Sequence, residues 1–461
     1  MTRFRFRFTS RLAALAVPSV GALAVLSRPG SLAFLAVFAA GCSSPAGEAS
    51  AATTTDAGAT DAGATDAGDA GATPAFPTTD LTADPACTAA GCLRALAVFP
   101  AASASAALLA AFAPAGTPLD NGFKTYTIRY MSASSDEVSG TVFVPDVAAP
   151  AEGFPAVVLS QPTSGIGPKC APSLGVLSTV LAATTAARGF VVLMPDAPSF
   201  GAPPYAPYML KDTAAKATLD GARVLLRLGT ALLTKIQRKV AFAGHSQGAH
   251  STLSAAEYLT SYAPELPAVG FAANGPPAYF LEGATYALSR TDSFDYFLAM
   301  RMWSWQRTLS PVQPAIFVGT FAQNAETTFL ECQNEGVSPG DGKLPDMVPA
   351  DPNGVVNPVY IQMAQGGATG WAEPWKTWHT ENVPSPKAVP VPVAVWQGTA
   401  DTSVLASGTR AYVAKLRAGG LTVELNEVAG AKHNDSAIGP LTLPQAGGES
   451  YIAWLRARFA N

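Results

Sequence analysis

Apolar residues along this chain fall into two patterns. In KTYTIRYMS (124–132) and EVSGTVFVP (137–145) they alternate with polar residues. That is the period of strands with one buried face, and the short gap between the two segments predicts a hairpin. FPAVVLS (154–160), GFVVLMPD (189–196), KVAFAGHS (239–246), AVGFAANGP (268–276) and VPVAVWQG (391–398) are instead short continuous apolar runs bounded by turn residues. Runs of this kind predict strands covered on both faces. Between them, residues 212–229, 246–263 and 407–420 carry helical patterns. The alternation predicts an α/β fold, a mostly parallel sheet flanked by helices, with catalytic groups beyond the carboxyl ends of its strands.

One crossover departs from this rhythm. From Pro276 to Pro390 the chain runs far longer than one helix needs. A helical cap inserted before the strand at 391–398 is expected. It carries DSFDYFLAMRMWSWQ, with Phe294, Phe297, Met300, Trp303 and Trp305, and WAEPWKTW, with Trp371, Trp375 and Trp378. At helical spacing, these aromatics either pack the cap's own small core or line an apolar acyl pocket or lid.

The amino terminus reads as an address. Arg3, Arg5, Arg7 and Arg11 precede two apolar runs, each too short to span a bilayer comfortably, which end in A-A-G-C at Cys42. The small residues before Cys42 resemble a bacterial lipobox, so residues 1–41 are expected to be a lipoprotein-type signal peptide and Cys42 the lipidated residue anchoring the chain to a membrane. Secretion without a lipid is the alternative, and either route leads out of the cytoplasm. Residues 42–80 repeat D-A-G-A-T and hold almost nothing to bury. They read as a flexible tether with a reach of about 30–40 Å. Residues 81–461 form the expected catalytic domain. A chain of 461 residues that is 48% hydrophobic and 13% charged excludes disorder throughout. A net charge of −4 with no block of like charges leaves no electrostatic footprint for nucleic acid.

With Cys42 set aside, Cys87, Cys92, Cys170 and Cys332 remain of the five cysteines. In an oxidising compartment they suggest two disulfides, with three connectivities open. None of the four histidines stands near a second ligand at a metal-binding interval, so neither metal nor cofactor is expected.

The chemistry concentrates in VAFAGHSQGAHS (240–251). A buried strand that turns directly into a helix needs glycines beside the apex, here Gly244 and Gly248. In such a G-x-S-x-G elbow the serine hydroxyl stands clear of the sheet, which makes Ser246 the candidate nucleophile. A serine needs a base, and the base needs an acid to fix its tautomer and stabilise its cation. His245 and His250 are tied to the elbow, and His379 lies in the cap. His433, following LTVELNEVAGAK, occupies the loop after the final strand, where this order of residues places the base. Asp401, in the turn after VAVWQG, is the expected acid. Asp196 also ends a strand but precedes the serine and reads as structural, while Asp435 reads as a loop residue. Oxyanion donors are expected from the backbone of Gln247 and from QPTSGIGPKCAPS, where Pro162 lacks an N–H. Thr163 is the first candidate there, with Ser164 and Gly165 behind it.

SQPTSGIGPKCAPS, GFVVLMPDAPSFG with APYMLKDTAAKATLDGAR, GHSQGAH with SYAPELPAVG, and VWQGTADTSV with GAKH together resemble the secretory lipase family, related to the lipase A type of yeasts. The resemblance spans roughly Cys87 to the C-terminus. It implies an α/β-hydrolase core with a helical cap and hydrolysis of acylglycerols or other carboxylic esters, with Ser246, Asp401 and His433 at the triad positions. It also implies that Cys170 pairs with Cys332, and the short loop between Cys87 and Cys92 suits the second bond. Relatives commonly carry H-G-T where this chain has Gln161, Pro162 and Thr163, so the oxyanion loop departs from the pattern. An ester hydrolase acting on a lipid or small ester is therefore expected. The rivals are a serine peptidase or amidase and a non-catalytic surface binding protein that kept the fold.

Overall fold

The computed structural model describes residues 75–98, 121–133, 137–174, 180–196, 205–309, 314–333, 344–433 and 448–460. The expected signal peptide, Cys42, most of the tether and Asp435 lie outside them.

Nine strands form one sheet: β1 (Leu93–Val98), β2 (Phe123–Met131), β3 (Glu137–Pro145), β4 (Phe154–Ser160), β5 (Val191–Pro195), β6 (Ile236–His245), β7 (Ala268–Asn274), β8 (Val393–Gly398) and β9 (Val423–Val428), in the order β1-β2-β3-β5-β4-β6-β7-β8-β9. The alternating segments pair as the expected antiparallel hairpin, with Met131 opposite Glu137. β1 and β5 also meet their neighbours β2 and β3 antiparallel, and the pairs from β5 through β4 to β9 are parallel.

Continuous apolar strands follow from burial on both faces. In β4 and β6, Ala156, Val158, Val240 and Phe242 face one helical layer, while Val157, Leu159, Ala241 and Ala243 face the other. Leu181, Ala182, Ala183, Ala186 and Ala187 of α1 (Val180–Ala187) and Tyr451, Ile452 and Leu455 near the C-terminus pack the second face. The first is covered by α2 (Lys211–Leu225) and α3 (Gln247–Tyr262).

Between β7 and β8 the long crossover is built from α4 (Phe280–Leu288), α5 (Tyr296–Thr308), α6 (Gly319–Phe329), α7 (Leu344–Met347), α8 (Pro358–Gln365) and α9 (Trp375–Glu381). Then come α10 (Ala406–Ala418), which joins α2 and α3 on the first face through Tyr412, Val413 and Leu416, and the C-terminal α11 (Gly448–Phe459). The inserted helices build an apolar cluster apart from those on the two sheet faces, and Ile166, Tyr208, Met209 and Leu210 from outside the insert join it. From β4 the chain goes to β5 on one side and then returns to β6 on the other. That reversal opens a crevice at the carboxyl ends of β4 and β6, the usual place for a ligand in such a sheet.

Candidate active site

The elbow stands at that crevice. Ser246, between β6 and α3, has φ 55° and ψ −118°, a conformation L-residues rarely adopt. Its N–H donates to the carbonyl of Asn274 at 2.9 Å, pinning the turn to the end of β7. The flanking glycines are sterically required. A Cβ on Gly244 would lie 2.1 Å from the carbonyl oxygen of Gly248, and one on Gly248 would lie 2.0 Å from that of Ser160. Strand, helix and the end of β4 cross too closely for any side chain.

Asp401 follows β8 and is buried. Its Oδ1 accepts from the backbone N–H groups of Ser403 and Val404 at 2.9 and 2.8 Å, and Oδ2 accepts from Gln397 Nε2 at 3.1 Å and His433 Nδ1 at 2.8 Å. Burial alone would raise its pKa. Hydrogen bonding and charge interaction with His433, with the two backbone donors, outweigh burial and hold the carboxyl below its ordinary value. Gln397, whose Oε1 accepts from Thr409 Oγ1 at 2.6 Å, fixes the Asp401 carboxylate from behind. His433 lies beyond β9, its ring 4.5 Å from that of His245 and close over Gly275, where a Cβ would stand 3.3 Å from His433 Cε1. Ser246 and His433 line one cavity of about 710 Å³.

Asp196 takes no part in this arrangement. It accepts from Ser173 N and Oγ and from Ser139 Oγ, a link between the end of β5, the loop after β4 and β3. Burial raises its pKa despite those bonds. Thr163 Oγ1 lies 2.8 Å from Tyr208 Oη, both buried, and Gln247 is the first residue of α3. Cys87 is bonded to Cys92, and Cys170 to Cys332. The second bond, with a β-bridge between Gly165 and Cys332, ties the loop after β4 to the chain beyond α6.

The aromatics of the insert require a correction to the pocket reading. Met300, Trp303, Trp305, Trp371 and Trp375 are buried in the cluster that the insert forms with Ile166 and Tyr208–Leu210. Trp305 Nε1 donates to the carbonyl of Tyr208, and Trp371 Nε1 donates to Thr285 Oγ1. Of the aromatics named from sequence, Phe297 lines the cavity, along with Tyr279, Phe280, Tyr286, Leu298 and Val404. A helix buried nearly all round offers one spacing to core and pocket alike, so period could not separate them. The cavity also contains Arg301, which the sequence signals only as a lone cation inside an apolar run. Among the described residues no group of three or more His, Cys, Asp or Glu converges to hold a metal, and no helix is long and apolar enough to cross a membrane.

His250 on α3 and His379 on α9 are both buried. His250 Nε2 donates to the carbonyl of Asn382 at 2.7 Å, clasping the elbow helix to the end of the insert. Burial drives its pKa down from 6.5 to about 4. The folded state therefore favours the neutral ring. Its contribution is intact above the unfolded pKa and is lost as pH falls from 6.5 to 4, by about 3 kcal/mol. Urea unfolding between pH 7 and pH 4 should be visibly flatter for His250→Gln than for the wild type. Parallel curves would mean that the ring titrates normally.

Nine mostly parallel strands with helices on both faces and a strained serine elbow after a central strand define the α/β-hydrolase fold. Within it, the secretory lipase family matches residues 173–291, from the loop after β4 through the elbow to the start of the insert, as the sequence resemblance led one to expect. No curated protein sequence matches the chain. Among solved structures, a Legionella pneumophila protein superposes with a TM-score of 0.65 at 17% identity, over 80% of this chain and 98% of that one. The rice cell wall degrading esterase LipA of Xanthomonas oryzae gives 0.61 at 17% identity over 80% and 98%. Candida antarctica lipase A in its closed state gives 0.53 at 18% over 80% and 91%. At these identities what is shared is the fold.

Proposed function

We propose that the protein is an extracytoplasmic serine hydrolase of carboxylic esters that works through an acyl-enzyme. The family match and the esterase and lipase neighbours support the ester-hydrolase class, and the two disulfides support an oxidising compartment. The observation that carries the mechanism is the 2.8 Å bond from His433 Nδ1 to a buried Asp401, beside a cavity that also holds a positive-φ serine.

Asp401 holds the Nδ1–H tautomer, leaving Nε2 to take the proton of Ser246 as Oγ attacks the ester carbonyl. The tetrahedral oxyanion is stabilised by the N–H of Gln247, at the start of α3, and by Thr163 from the loop after β4. The imidazolium then protonates the leaving alcohol. Water, activated by the same histidine, releases the acid and restores Ser246. Lipidation at Cys42 would place this chemistry at a membrane surface, on acylglycerols or related esters.

The cavity of about 710 Å³, within the usual size of small-ligand pockets, is largely apolar where α4 and α5 line it. Each methylene buried there contributes about 0.8 kcal/mol, roughly fourfold in the specificity constant, until the space is full. The test is kcat/KM against nitrophenyl esters from acetyl to palmitoyl, measured below micelle formation, with mass-spectrometric mapping of the residue labelled by a fluorophosphonate. A rise over the first several carbons and a label on Ser246 are expected. A steady fall from acetyl would remove the acyl-pocket role, and no hydrolysis of any ester would remove the ester-hydrolase reading.

A further inference from the structure

Resting on the ester-hydrolase reading, we propose that Arg301 is a carboxylate-binding residue of this same cavity. The esters preferred would carry an anionic carboxylate separated from the scissile carbonyl by a short apolar spacer, as in half-esters of dicarboxylic acids.

Arg301 lies on α5 among apolar neighbours and is only 8% exposed. Among the described residues no carboxylate forms an ion pair with it. Its Nη2 donates to the carbonyl of Phe280 at 3.0 Å, its Nε has no acceptor, and the guanidinium lies 4.3 Å over the ring of Phe280 and 5.3 Å from that of Trp305. Ring faces and one carbonyl only partly replace the hydration that a buried cation gives up. Burial pulls its pKa down to about 10, so it remains charged at neutral pH. A cation kept at that cost, facing a cavity with donors unfilled, is complementary to an anion, and the planar fork of guanidinium suits a carboxylate.

Two other charged groups face the same space from the insert, Glu282 on α4 and Asp295 at the start of α5. Glu282 is exposed. Asp295 reaches the surface, but its carboxyl is desolvated enough that burial raises its pKa, and its Oδ1 is occupied as the cap of α5 by the N–H of Leu298. Water screens Glu282 at the rim, and Asp295 attracts Arg301 through space without reaching ion-pair distance, so the guanidinium keeps donors for an anion that enters the cavity. Phe297, Leu298 and Phe280 provide the apolar wall along which a spacer would lie. A purely aliphatic acyl chain would fill this volume but leave the guanidinium unpaired, which is how a pocket with a buried charge rejects a neutral isostere.

The experiment compares the 4-nitrophenyl monoesters of glutarate and adipate with the pentanoate and hexanoate esters, after subtracting spontaneous hydrolysis. It uses wild type, Arg301→Met and Arg301→Lys. The ratio of kcat/KM, carboxylated over methyl-terminated, is expected to favour the carboxylated esters by about 10- to 100-fold in the wild type. It should collapse in Arg301→Met and survive in part in Arg301→Lys. A ratio that Arg301→Met leaves unchanged overturns the proposal. Should that variant fail to fold, the wild type decides: glutarate raises its Tm where 1,5-pentanediol does not, and equal effects overturn the proposal. Absence of all ester hydrolysis would strike the ester-hydrolase reading instead, while the glutarate comparison would still decide the anion site.

Discussion

Replacing Ser246 with alanine is expected to lower kcat on a nitrophenyl ester by about 10⁴- to 10⁶-fold, with KM little changed. In the proposed mechanism the hydroxyl forms the covalent bond, so its loss would remove the acyl-enzyme and leave only the rate due to binding and oxyanion stabilisation. The backbone should tolerate the change. Alanine removes one oxygen from a residue whose φ of 55° is imposed by Gly244, Gly248 and the bond to Asn274. Stopped assays on purified variant, with near-ultraviolet circular dichroism as the folding control, make the measurement. A loss below tenfold would mean that the reaction runs through another nucleophile.

Asp401→Asn should come next, at about 10⁴-fold in kcat. Asparagine is nearly the same shape, but its amide would favour the tautomer with the proton on Nε2, so that His433 meets Ser246 as a donor instead of an acceptor. The contrast with Asp196→Asn sharpens the result. Asp196 accepts from Ser139 and Ser173 and touches neither His433 nor Ser246. Its neutralisation should lower Tm while leaving kcat of the folded protein within tenfold. If the two variants exchanged behaviour, Asp196 would be the acid.

The sequence made the frame of the sheet legible because its strands obey local rules. The alternation in β2 and β3, the continuous runs of β4 to β8 and the glycines of the elbow all report backbone environment directly. β1 was not legible. LRALAV sits in an alanine-rich segment without contrast between faces, and its strand character comes from pairing with β2. The C-terminal α11 likewise gains its definition from Tyr451, Ile452 and Leu455 packed against the sheet. The candidate histidine and its carboxylate partner could be reached by elimination among few residues, since both follow strand ends. Gln397, Tyr208 and Arg301 could not. Their significance lies in contacts made across long stretches of chain, such as Tyr208 with Thr163, and no spacing encodes such a contact.

The bond between Cys170 and Cys332 joins residues 162 positions apart, and both cysteines are fully buried. The loop it closes contains β5, β6, β7, the elbow and α4 to α6. Its two sulfurs meet where the loop after β4 and the chain beyond α6 lie side by side, a position that the Gly165–Cys332 bridge also marks. The bond is a covalent record that two regions distant in sequence have found each other. By closing so long a loop it removes conformational freedom from the unfolded chain, a contribution of about 2–5 kcal/mol to the stability of the folded one.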